Sequence, residues 1–286
     1  MDSYTATNDY VALLLSLPGL QPVTVLSIFF LTLARILPVV ALAPFLGAKT
    51  VPMVIRMMFS VALVAIFLPF NLVNTHVEVP YGMVFIGLMV KELLVGVILG
   101  MIAAVPFFIA QMAGGLIDHQ RGASALQVTD PSTMAQTGSI GLLYNYVLIA
   151  LFFSLNGPFF FLDGVASSYE LFPVTGTINS ALFHMQTPFW KQMIGLHQYM
   201  MTLCIQLSAP ALIGILLTDM FLGIANRLAP QVQIVFLGIS LKSWVGIALM
   251  TAAWALILQV MGRESINFIQ SMNRLIQQTG MSYGGP

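Results

Sequence analysis

Apolar residues in this chain run in long, nearly uncharged blocks, and polar residues collect between the blocks instead of alternating with them. Bounded by ionisable residues, the blocks fall near 22–46, 51–73, 80–110, 140–162, 197–224 and 234–261. Each is long enough to cross a hydrocarbon layer as a helix of about 20 residues. The pattern therefore predicts an all-α, polytopic membrane protein of about six hydrophobic segments. It reads as one membrane domain over 1–286, with an N-terminal segment at 1–21, a helical core at 22–261, and an amphipathic helix and tail at 262–286.

Two stretches between the blocks are polar enough to read as loops. The first, Gln111 to Ser139, holds Asp118, His119, Arg121 and Asp130 among glycines and is too polar to face lipid. The second, Asp163 to Lys191, carries Asp163, Glu170, Pro173, Gly176, His184 and Pro188 and reads as a surface connection with room for one helical turn. After the last block, Ile266, Ile269, Met272, Leu275 and Ile276 recur at three- and four-residue spacing opposite Glu264, Asn267, Gln270 and Arg274. This stripe makes an amphipathic helix. It should dock on a partner helix, because its polar face carries few cations for lipid headgroups. The N-terminal MDSYTATNDY has acids and no base, unlike the start of a cleavable signal peptide, so Val11–Leu17 reads as a retained short helix ended at Pro18-Gly19.

Prolines interrupt the apolar blocks at Pro38, Pro44, Pro69, Pro106, Pro158 and Pro210. An interior proline removes a backbone hydrogen bond and clashes with the preceding turn, so these helices should kink or break into hairpins. Carbonyls freed at that depth need protein or water as partners. The expectation is a chain embedded in a larger protein body or lining a wet path; a plain bundle of kinked helices is the alternative.

Composition narrows the function. Hydrophobic residues make up 58% of the chain and charged ones 7%, against about 25% charged in a soluble domain, and the mean hydropathy is +0.93. Ten basic and ten acidic residues cancel, so no field of one sign exists to hold nucleic acid. Lys49, Arg56, Arg121, Arg227 and Lys242 on one set of loops nearly balance Lys91, Lys191, Arg263 and Arg274 on the other, so positive charge assigns no orientation. The lone Cys204, in the apolar run LCIQL, reads as a small packed hydrophobe. His76, His119, His184 and His197 stand apart at spacings that suit no metal. No phosphate loop, nucleophile elbow or pair of intramembrane acids is present. The inventory points away from an enzyme, a metal and a cofactor.

What remains are ionisable groups at membrane depth, each of which is costly unless paired or hydrated. Arg35 lies inside the first block, three residues before Pro38, poised either for a partner subunit or a bound carboxylate or for a local pair with the carbonyls of the broken helix. Lys91 and Glu92 are sequence neighbours about 100° apart on a helix, so each should need a partner other than its neighbour. Gly96 and Gly100 form a small-xxx-small face for close helix packing. Asp219 sits near the end of its block, where Arg227, two turns on, offers a counter-charge. Eighteen methionines supply soft side chains, most of them core.

These segments, in this order, resemble the FliR/SpaR/YscT family of inner-membrane export-apparatus proteins of flagellar and virulence type III secretion systems. The resemblance rests on Arg35 with LPVVALAPFLGAKTVPMVIR after it, KELLVGVILG from Lys91, AGGLIDHQRGAS from Ala113 with Asp130-Pro131, FFSLNGPFFFL around Asn156-Gly157, and LGIANRLAPQVQIVFLGISLK from Leu222 to Lys242. It covers nearly the whole chain and is closer to the virulence (SctT-like) branch. It implies a non-enzymatic subunit of the export gate, in the bacterial inner membrane, assembled with SctR-like and SctS-like subunits and neighbouring the SctU-like switch protein and SctV-like export-gate ring. Unfolded secreted proteins would pass transiently, and lipid would surround the assembly. The motif residues Arg35, Glu92, Gly96, Gly100, Asn226, Arg227, Pro230, Gln231 and Lys242 are the candidates for subunit packing. The family's channel is obstructed by a loop of this subunit, which carries over to Gly114, Gly115, Asp118, Gln120 and Gly122. Arg121 joins them because its spacing from Asp118 allows the two to latch the closed form.

Such an obstruction must be favoured by only a few kcal/mol so that entering substrate displaces it. The energy for export would come from an associated ATPase and the proton gradient acting elsewhere. Two other classes are weighed. A secondary transporter would share broken helices and use Arg35, Lys91 or Glu92 at a midplane site, yet the only internal echo is LAPFLG at 42–47 against LAPQVQIVFLG at 228–238. A membrane-embedded enzyme would need a convergent catalytic set.

Overall fold

The computed structural model describes residues 22–47, 51–75, 81–122, 128–129, 136–176, 188–228 and 234–283. The expectations for residues 1–21, Asp130-Pro131, Pro230 and Gln231 lie outside the described residues, as do those for the side chains of Met272, Arg274, Leu275 and Ile276. Within them the chain is helical: α1 (Pro22–Leu42), a 3₁₀ turn (Pro44–Leu46), α2 (Met53–Val73), α3 (Met83–Gln120), α4 (Ser139–Ser154), α5 (Gly157–Leu171), α6 (Pro188–Leu228), α7 (Ile234–Ala252) and α8 (Trp254–Tyr283). One small antiparallel ladder, β1 (Val128–Thr129) with β2 (Gln136–Thr137), lies between α3 and α4. Four helices are long and apolar enough to cross a membrane, and six spans result if each of two bent pairs counts as one. The all-α, multi-pass architecture expected from the hydrophobic blocks is the one observed.

Two stretches expected as loops are helical over much of their length. Residues 111–120 are the last turns of α3 and not a loop, because Ala113, Gly114, Ile117 and Asp118 form a buried stripe at helical spacing. Residues 163–171 belong to α5 and 188–191 to α6, so both ends of the stretch expected as a connection are helical. The C-terminal amphipathic segment is the continuation of α8 and not a separate helix. Its Ser265, Phe268 and Ile269 are buried, with Phe268 stacked on Tyr199 of α6 at 6.3 Å, so over this stretch the stripe docks on its own chain.

Of the six prolines, Pro44 and Pro158 open new elements at breaks, and the four interior ones break nothing. Pro38, Pro69, Pro106 and Pro210 lie inside helices that run through them. The sharp bends fall between α4 and α5, at 76°, and between α7 and α8, at 64°. At the first, Asn156 adopts the left-handed conformation (φ 58°, ψ 24°) and Pro158 sits in the first turn of α5, where its missing N–H costs nothing. A cluster of rings fills the elbow: Phe45 of the 3₁₀ turn lies 4.8 Å from Phe152 and 5.2 Å from Phe161, and Phe107 of α3 lies 5.5 Å from Phe152. Gly157 is bare because a Cβ there would meet the Phe152 ring at 2.4 Å or a little more. Asn156→Gly should therefore change thermal stability by under about 0.5 kcal/mol, whereas Asn156→Val should cost about 1–2 kcal/mol, as read from denaturation midpoints in detergent.

Helix α3 packs on α1, α4 and α6, while α2 lies against α1, α5 against α8 and α7 against α6. The outward surface is apolar, most of all on α2, where Met53, Val54, Ile55, Met58 and Ile66 each expose more than half their area.

Candidate functional site

The ionisable groups at depth are gathered into two buried clusters. In the first, α1 brings Arg35 to α3 because α3 is bare where the two helices cross. A Cβ on Gly96 would collide with the carbonyl oxygen of Arg35, and one on Gly100 would stand 3.0 Å from that of Pro38. Arg35 grips Glu92 in a two-pronged pair, Nε to Oε2 at 2.5 Å and Nη2 to Oε1 at 2.9 Å, and neither side chain has any exposed area. Lys91 reaches the same carboxylate, Nζ to Oε1 at 2.7 Å. The expectation that Lys91 and Glu92 could not pair is thus corrected. Their stems leave the helix about 100° apart, but both are long enough to curl toward the α1 side, where Arg35 has drawn Glu92.

One carboxylate facing two cations leaves a surplus positive charge, and the end of α5 answers it. Carbonyls at and just beyond the last turn of a helix lie at its negative pole and have lone pairs left to accept from a cation. Arg35 donates to the Ser168 carbonyl at 3.0 Å, to its Oγ at 3.1 Å and to the Phe172 carbonyl at 2.6 Å. Lys91 donates to the carbonyls of Pro173, Val174 and Gly176 at 2.7, 3.0 and 2.9 Å. The Arg35 guanidinium also lies 4.0 Å over the Tyr169 ring. Arg35 thus meets a carboxylate of its own chain and carbonyls at the end of α5, and not the local carbonyls of its own helix that were the alternative expected for it. The carbonyl acceptors escaped the sequence reading because backbone atoms leave no residue-type signal. The cue available was that α5 must end somewhere near polar groups.

The second cluster joins α3 to α4. Asp118 is buried and Arg121 nearly so. Arg121 Nε donates to Asp118 Oδ1 at 2.9 Å, and its Nη2 donates to Ser139 Oγ at 2.8 Å. The other carboxylate oxygen, Oδ2, accepts the backbone N–H groups of Ile140 and Gly141 at 2.8 and 3.3 Å. Helix α4 opens at Gly138, which has no side chain to cap it, so Asp118 caps it from the neighbouring helix. A Cβ at Gly138 would occupy the place of that carboxylate, and one at Gly114 would lie 2.5 Å from the Gly141 backbone. Gly122 turns the chain out of α3 with φ +81°. Gln120 is exposed, and Gly115 has open space beside it. Asp118→Ala, which strands two N–H groups and Arg121, should cost about 2–4 kcal/mol in unfolding experiments.

The expected pairing of Asp219 with Arg227 is not formed. Asp219 instead pairs with Lys242 of α7, because α6 and α7 lie side by side, and a residue on the facing helix is nearer than one two turns along. Asn226 and Arg227 are exposed. Among the described residues, no three His, Cys, Asp or Glu side chains converge as metal ligands.

Both buried clusters are joints between helices, inside an apolar exterior. The profile of the family described as bacterial export proteins, family 1, matches residues 26–267. The chain belongs to this family of bacterial export proteins. Among curated relatives of this export protein, it is 35% identical to the secretion system apparatus protein SsaT of Salmonella typhimurium over 168 residues, 59% of this chain and 62% of that one. It is 29% identical to the flagellar biosynthetic protein FliR of Bacillus subtilis over 260 residues, 89% and 96% of the two chains. With the Yop proteins translocation protein T of Yersinia pestis it shares 29% identity over 153 residues, 54% and 57% of the two. Both clusters fall inside the matched region.

Proposed function

We propose that this export protein is a structural, non-enzymatic subunit of a type III export gate in the bacterial inner membrane. The family match over residues 26–267 carries the reading, and names among the relatives refer to a secretion apparatus and to flagellar biosynthesis. The surface supports it, since α2 is held by α1 and leaves most of its apolar area uncovered. Its neighbours in the assembly would be SctR-like and SctS-like subunits, with the SctU-like and SctV-like proteins beyond.

The polar connection between α3 and α4 would obstruct the channel at rest. Gly114, Asp118 and Arg121 anchor that connection and do not themselves fill the channel, because they are spent on the α3–α4 joint. Gln120 and Gly122, exposed at the mouth of the joint, begin the obstructing part. Co-expression of the tagged chain with the SctR-like and SctS-like subunits, followed by mass measurement in detergent, should give one stable hetero-oligomer. A monomer that binds a small solute would support the transporter reading instead. Within an assembled complex, excising residues 123–135 leaves the Asp118–Arg121–Ser139 joint in place and should raise ion leakage. Unchanged leakage would remove the obstructing role.

A further inference from the structure

Just beyond α5, residues 173–176 make a turn closed by the Gly176 N–H on the Pro173 carbonyl at 3.0 Å. Carbonyls of a surface turn ordinarily face water. Here those of Pro173, Val174 and Gly176 converge instead on Lys91 Nζ, at 2.7, 3.0 and 2.9 Å, and Glu92 Oε1 reaches the same nitrogen at 2.7 Å. An ammonium offers three N–H groups, so four oxygens exceed what hydrogen bonding alone requires. They form a coordination shell. Carbonyl dipoles aimed at one centre repel each other, and such an arrangement persists where a cation replaces the water that the oxygens have lost. Of the four turn residues, only Val174 is buried as an apolar anchor; Pro173 is exposed, and Thr175 and Gly176 are half-buried.

Spacing and charge define which cation suits the cage. Calcium draws oxygens to about 2.3–2.6 Å and magnesium to about 2.0–2.1 Å, both tighter than the distances around Nζ. A second positive charge would also add to the surplus already present, because Glu92 is shared with Arg35. A monovalent cation of ammonium size meets both conditions. The Lys91 side chain keeps 7% of its area open, which leaves a small ion a way in from the exposed Pro173 side.

We propose that Glu92 and the carbonyls of Pro173, Val174 and Gly176 form a monovalent-cation site that Lys91 fills from within, and that this tethered ammonium closes the turn onto α3. The tether also keeps the neighbouring Phe172 carbonyl within reach of Arg35. Nothing in the cage depends on the export-gate role.

The test uses the full chain purified in detergent, with hydrogen exchange at residues 172–176 as the readout. The Ile140 and Gly141 amides, held by Asp118 in the second cluster, serve as the internal reference. Lys91→Met keeps the bulk of the side chain and removes its charge; exchange in the turn should quicken at least about tenfold while the reference amides hold. Lys91→Ala should open the turn likewise and leave room for the severed end of the side chain. Ammonium chloride, and propylammonium chloride more fully, should then slow exchange in the Lys91→Ala turn. Tetramethylammonium chloride at equal concentration, with the same charge but no N–H and too much bulk, should not. A Lys91→Met turn that exchanges as slowly as the parent overturns the proposal, since packing of Val174 would then hold the segment. So does a Lys91→Ala turn that neither ammonium ion protects better than tetramethylammonium. Should Lys91→Ala fail to fold, Lys91→Met decides alone.

Discussion

Glu92→Gln should be the most damaging single substitution among the buried charges, with about 3–5 kcal/mol of stability lost. Glu92 is the one anion between Arg35 and Lys91, and its neutralisation leaves two cations in contact where no water screens them. The three residues should not be equivalent. Arg35→Gln leaves Glu92 and Lys91 as a neutral pair and strands the Phe172 carbonyl, while the Ser168 carbonyl keeps the Phe172 N–H, at about 2–3 kcal/mol. Lys91→Met keeps the two-pronged Arg35–Glu92 pair and should cost least, about 1–2 kcal/mol. Thermal unfolding of the detergent-purified variants gives the order directly. If Lys91→Met proved as harmful as Glu92→Gln, the charge balance drawn for the cluster would not hold.

A glycine pair on one helix should show opposite signs. Gly96→Ala places a methyl group against the carbonyl oxygen of Arg35, a backbone atom that can yield only if α1 moves away. The expected loss is about 2–3 kcal/mol, and because the shift carries Arg35 with it, the ion-pair cluster is disturbed too. Gly115→Ala, farther along α3, meets nothing within 4 Å. It should stabilise the protein by about 0.5–1 kcal/mol through helix propensity and reduced freedom of the unfolded chain. Melting temperatures of the two variants should therefore move in opposite directions from the parent, and a common direction would mean that α1 and α3 are not in contact at Gly96.

Membrane character was legible from the hydrophobic blocks, because hydrocarbon demands long runs of one kind of residue and such runs are visible without any knowledge of packing. Arg35, Lys91 and Glu92 also announced themselves, since charge inside an apolar block needs a reason. Their partners did not. The carbonyls of Ser168, Phe172, Pro173, Val174 and Gly176 are backbone atoms, present at every residue, and only the end of α5 selects these five. Polarity also misled the reading of residues 111–120 as a loop. Asp118 and Arg121 are polar because they close a joint between helices, and a joint residue has the composition of a loop residue.

From its sequence alone this protein is determined to be helical, membrane-spanning and similar to a bacterial export family, because hydropathy, spacing and motif order are properties of a linear string. Tertiary structure alone decided which charges meet, that the bends fall at Asn156 and Ala253 and not at the interior prolines, and that Asp118 caps a helix begun by Gly138. Those outcomes depend on which surfaces approach one another in space. A long side chain reaches the nearest counter-charge, and helices far apart along the chain supply it.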